Sequence, residues 1–116
     1  MSRVVIAGVD DMFFASKIRA VAEAVGVEIS FPRSKEALIQ KAPEAELILV
    51  DLHNQKVDPV ALVAELKKEL RGVRMIGFFS HVETELQRNA LAAGFDQVLP
   101  RSAFSRDLPK ILTRSA

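Results

Sequence analysis

A chain of 116 residues with 49% hydrophobic and 27% charged content has room for one globular domain, residues 1–116, that buries about two-thirds of its unfolded surface. A net charge of +1 with both signs interspersed leaves no basic footprint for nucleic acid, and no apolar run approaches the roughly 20 residues that cross a bilayer. The absence of Cys excludes disulfides and thiolate metal sites and fits a reducing cytoplasm; Met1 to Arg3 lead straight into an apolar run without a secretory leader pattern.

Apolar runs and helical stripes alternate along the chain. Val4 to Gly8 reads as the first strand, and Phe14, Ile18, Val21, Ala22 and Val25 recur at helical spacing until Gly26 ends the stripe. Val27 to Phe31 is a short second strand; Ser34 is positioned to cap a brief helix carrying Ala37, Leu38 and Ala42 and stopped by Pro43. The continuous run Leu47 to Leu52 is the third strand, apolar on both faces as in a buried parallel sheet. Asp58-Pro59 then signs a helix start, and Leu62, Val63, Leu66 and Leu70 supply its stripe up to Gly72. Arg74 to Phe79 is the fourth strand; Ser80 is predicted to cap a helix with stripe Val82, Leu86, Ala90 and Leu91, ended by Gly94. Gln97 to Leu99 is a brief fifth strand, and a last helix is predicted from Ser105 or Asp107, with Pro109 in its first turn and Leu108, Ile111 and Leu112 facing inward. Five strands alternating with helices predict a doubly wound α/β sheet, parallel and covered on both sides.

In such a sheet, chemistry gathers at the carboxyl ends of the strands. Those ends carry Asp10 and Asp11, Asp51, Ser80 and Arg101. Carboxylates can hold a hard divalent ion such as Mg²⁺, one of them can accept a phosphoryl group, and a hydroxyl and a permanent cation can contact the phosphate oxygens. Each residue also has a plainer role: Asp10 or Asp11 as a helix cap, Asp51 as a loop cap, Ser80 as a cap and Arg101 as a rim ion pair. No Gly-x-Gly-x-x-Gly, P-loop or nucleophile elbow is present, which disfavours oxidoreductases and nucleotide hydrolases.

The strand-helix order, the run Glu46 to Leu52 and the segment Gly94 to Phe104 together resemble the receiver domain of two-component response regulators over nearly the whole chain. The resemblance implies a flavodoxin-like fold with strand order 2-1-3-4-5, and a non-enzymatic cytoplasmic module that meets a histidine kinase or a downstream effector. It places the phosphoacceptor at Asp51, the phosphate-contacting hydroxyl at Ser80, the conserved cation at Arg101, and Mg²⁺ between Asp51 and an acidic pair filled by Val9 and Asp10 or by Asp10 and Asp11. The partner-contact surface it implies is the fourth helix, fifth strand and fifth helix, with residues such as Gln87, Asn89, Gln97 and Arg106, and a homodimer would use the same face. The pattern departs from the family at Arg101 in place of lysine, at Ser102 in place of proline, at His81 where a small residue is usual, and at Val98 where an aromatic toggle is common. The reading is therefore a stand-alone receiver-like module acting through protein contacts, with phosphorylation at Asp51 weak or lost. A fully competent Mg²⁺-dependent phosphoacceptor is the alternative, and a small flavodoxin-like cofactor binder or enzyme is the alternative from another class. Asp51-Leu52-His53 resembles a cobalamin Asp-x-His pattern, but Lys56 stands where that pattern has glycine; His53 is expected to be a solvated loop residue.

Overall fold

Leu47, Ile48, Leu49 and Val50 are all withdrawn from solvent although successive strand residues point to opposite faces, so both faces of this strand are covered. The computed structural model describes residues 3–70 and 72–114. Its strands are β1 (Val4–Gly8), β2 (Glu28–Ser30), β3 (Leu47–Asp51), β4 (Arg74–Phe79) and β5 (Gln97–Pro100), all parallel in the order β2-β1-β3-β4-β5. One face is covered by α1 (Met12–Ala24) and α5 (Arg101–Thr113), the other by α2 (Lys35–Lys41), α3 (Pro59–Glu69) and α4 (Thr84–Ala93). The predicted doubly wound sheet and its strand order are the ones observed. No helix among the described residues is long and apolar enough to cross a membrane.

The two cores follow from strand alternation. Val5, Ala7, Leu47, Leu49, Ile76 and Phe78 meet Phe14 and Ile18 of α1 and Phe104, Leu108 and Leu112 of α5, whereas Ile6, Ile48, Val50 and Met75 meet Leu38, Leu62, Val63 and Leu66. Phe78 lies at the centre of the first core, stacked on Phe104 at 4.4 Å between ring centres and edge-on to Phe14 at 5.2 Å.

Three local expectations are corrected. Ser80 does not cap α4: the helix begins at Thr84 after Glu83, and only Ala90 of its residues is fully buried. With the start moved to Thr84, Leu86, Ala90 and Ala93 share the inward face, while Val82 precedes the helix and Leu91 turns away from it, 79% and 51% exposed. The last helix starts at Arg101, four residues before Ser105, because Phe104 opens an unbroken stripe with Leu108, Ile111 and Leu112 at i, i+4, i+7 and i+8; Pro109 consequently lies inside the helix rather than in its first turn. Asp58 does occupy the position before α3, but with a left-handed φ of 47° and without a side-chain cap bond.

Candidate functional site

The register fixes what the carboxyl rim presents. Gly8, the last residue of β1, pairs with Val50, so Val9 just past the strand end follows in register beside Asp51, and Asp51 in turn pairs with Phe78 on β4. Asp51 continues the alternation of Leu47 and Leu49, which places it on the α1/α5 side, the side on which Val9 is buried at 7% exposure. The residue beside Asp51 at the end of β1 is therefore apolar, and Asp10 and Asp11 follow it into the loop. Asp51 itself is half-buried; its Oδ1 accepts the backbone N–H of His53 at 2.9 Å, which closes the turn after β3.

The acids after β1 are engaged by other groups. Asp11 is the N-cap of α1: its Oδ1 accepts from the amides of Phe13 at 3.0 Å and Phe14 at 3.2 Å, and its Oδ2 meets Arg101 Nη2 at 3.4 Å. The Phe14 amide foremost, with that of Phe13 and the Arg101 guanidinium, holds the Asp11 carboxyl below its ordinary range against an opposing desolvation effect. Asp10 is exposed and pairs with Lys56 Nζ at 3.2 Å. Lys56 is brought there by a turn built on Asn54, which is buried, donates from Nδ2 to the Gly8 carbonyl at 3.1 Å and accepts the Lys56 amide at 3.1 Å. A cavity of about 340 Å³ opens on this side of Asp10, lined by Arg19, Arg33 and Lys56 among others and not by Asp51.

Arg101, as the first residue of α5, lies with its guanidinium carbon 3.9 Å from the centre of the Phe14 ring, in a cation–π contact, while holding Asp11. Ser80 is exposed just beyond β4, and no peptide bond among the described residues is cis, including the one before Ser102. His81 is exposed and packs its ring against that of His53, centroids 5.7 Å apart. His53 is half-buried rather than freely solvated, a departure from the expectation for a loop histidine.

These donors fit Mg²⁺ poorly. The ion requires oxygen ligands in near-octahedral array, yet Val9 is apolar, Asp11 serves the helix terminus, and a lysine ammonium occupies the neighbourhood of Asp10. Among the described residues no group of three acidic or imidazole side chains is placed to share an ion. Asn54 was not singled out from sequence, and Lys56 was named only as the residue in place of a glycine; the available signal was an amide and an amine three and five residues past the rim acid, which acquire meaning only once the turn folds back on Gly8.

No family model matches the chain, and no curated protein is similar to it in sequence. Solved structures are similar in fold. The chemotaxis response regulator CheY4 of Vibrio cholerae superposes with a TM-score of 0.82 at 16% identity over 98% of each chain. A CheY-like response regulator receiver domain from Methanospirillum hungatei gives 0.80 at 20% identity, covering 95% of this chain and 89% of that one. A response regulator of Burkholderia pseudomallei, determined with a phosphorylated aspartic acid and a calcium ion, gives 0.79 at 20% identity, covering 97% of this chain and 67% of that one. The chain has the receiver fold.

Proposed function

We propose that this chain is a receiver-like signalling module, non-enzymatic in itself, whose output is a contact with another protein and in which Asp51 accepts phosphate weakly or not at all. The observation that carries the reading is the seat of Arg101. Its guanidinium is divided between the Asp11 carboxylate and the Phe14 ring, so the cation that would offset phosphate charge at Asp51 is engaged by other partners. The apolar Val9 beside Asp51 and the Lys56–Asp10 pair support it further, since both weaken divalent-ion binding at this rim. Met12 and Phe13, 73% and 90% exposed at the start of α1, supply apolar surface beside the same rim for a protein partner.

The test is incubation with Mg²⁺ and a small-molecule phosphodonor, read by intact mass, on wild type and Asp51→Asn. Little or no adduct in either protein is the expected result. A stoichiometric gain of about 80 Da in wild type, absent from Asp51→Asn, establishes instead the competent phosphoacceptor, because the phosphoryl group then resides on that carboxylate.

A further inference from the structure

We infer that His53 and His81 form a two-imidazole site for a late first-row divalent ion, Cu²⁺, Ni²⁺ or Zn²⁺. The rings lie edge to face, with centroids 5.7 Å apart and planes inclined by 67°. His53 Nε2 is shielded from solvent and has no hydrogen-bond partner, a state that is costly for a polar atom unless another group engages it. The backbone under this ring is fixed, because the His53 amide donates to Asp51 Oδ1 at 2.9 Å in the turn that follows β3. His81 lies two residues beyond the end of β4 and is exposed, so its side chain can adjust without disturbing the core.

The spacing suits a shared ion. A metal–nitrogen bond of about 2.0–2.1 Å puts an imidazole centre about 3.2 Å from the ion, so two rings have centres about 5.2 Å apart on a tetrahedral ion and about 4.5 Å apart at the roughly 90° angle of a tetragonal one. The observed 5.7 Å exceeds these separations by about half to just over one ångström, so the exposed His81 must change χ1 and χ2 both to close the gap and to turn the two ring nitrogens toward one point. Among the described residues no third His, Cys, Asp or Glu completes a set around an ion, so water would fill the remaining positions. Such a donor set discriminates by softness: imidazole suits Cu²⁺, Ni²⁺ and Zn²⁺, whereas Mg²⁺ and Ca²⁺ require oxygen.

The experiment is simple to interpret because the chain contains two His and no Cys, so all imidazole ligation must come from this pair. The tag-free full chain is titrated with Ni²⁺ and Zn²⁺ by calorimetry, and its Cu²⁺ complex is examined by electron paramagnetic resonance. One ion per chain with micromolar affinity is expected, with superhyperfine coupling to two imidazole nitrogens. His81→Gln and His53→Gln should each weaken Ni²⁺ binding at least tenfold and remove one nitrogen from the Cu²⁺ spectrum. Unchanged affinity or an unchanged nitrogen count in His81→Gln, whose exposed position spares the fold, overturns the assignment, as does the absence of binding by the wild-type chain.

Discussion

Replacing Val9 by Asp puts an acid level with Asp51 and tests whether the apolar residue at this position is what keeps Mg²⁺ away. The substitution removes a side chain that is 7% exposed, which costs about 1.5–3 kcal/mol of apolar burial. It also sets two carboxylates on adjacent strands, a repulsion of about 1–3 kcal/mol at strand spacing and intermediate dielectric. A loss of about 4 kcal/mol corresponds, at about 4 °C per kcal/mol for a domain of this size, to a fall in Tm of roughly 15 °C in metal-free buffer. Because the added acid completes a divalent-ion site, Mg²⁺ at ten times its Kd should restore about 1.4 kcal/mol, or roughly 5 °C, in the variant, and move wild type by less than about 1 °C. Thermal melts of both proteins with and without Mg²⁺ provide the comparison. Equal responses of the two proteins to Mg²⁺ would refute the reasoning, since the residue beside Asp51 would then have no bearing on metal binding.

Asp11→Ala removes the α1 cap and frees Arg101; because the folded-state pKa of Asp11 lies below its ordinary value of 3.8, the wild-type advantage is full above that pH and disappears as pH falls through the lower folded value, which paired melts across the acid range will show. Phe104→Ala should cost about 3–5 kcal/mol in denaturant titration, the ring being fully buried and stacked on Phe78. Gly94→Ala should cost about 1–3 kcal/mol by the same assay, because φ is 134° there and a Cβ would come within 2.9 Å of Lys67 Cγ.

Elements set by long apolar runs were legible from sequence: Val4 to Gly8 and Arg74 to Phe79 have the bounds read from the residues, and the run ending at Asp51 fixed the sheet's buried middle. Elements held by small side chains were not. In α4 the inward contacts are made by Leu86 and two alanines, so the larger Val82 and Leu91 misled a reading based on hydrophobic size. At the site, Asp51 and the acids after β1 were found as residue types at strand ends, but their partners were hidden, because Lys56 reaches Asp10 and Arg101 reaches Asp11 across 46 and 90 residues of chain. One-dimensional spacing carries no information on which of several carboxylates a distant cation will choose. Phe13 and Phe14 illustrate the opposite case: adjacent aromatic residues on one helix cannot both face the core, and they divide into one that is 90% and one that is 3% exposed.

The direct passage from Pro100 into α5 has a mechanical consequence. β5 ends at Pro100 and the helix begins at Arg101, with no intervening residue to absorb a change of backbone direction. The guanidinium can therefore travel toward Asp51 only by swinging its own side-chain torsions or by carrying the whole helix along as a lever. Any anion strong enough to pull it from Asp11 would load that lever, and the strain would arrive first at Phe104 and Leu108, about one and two turns along a shaft seated in the core.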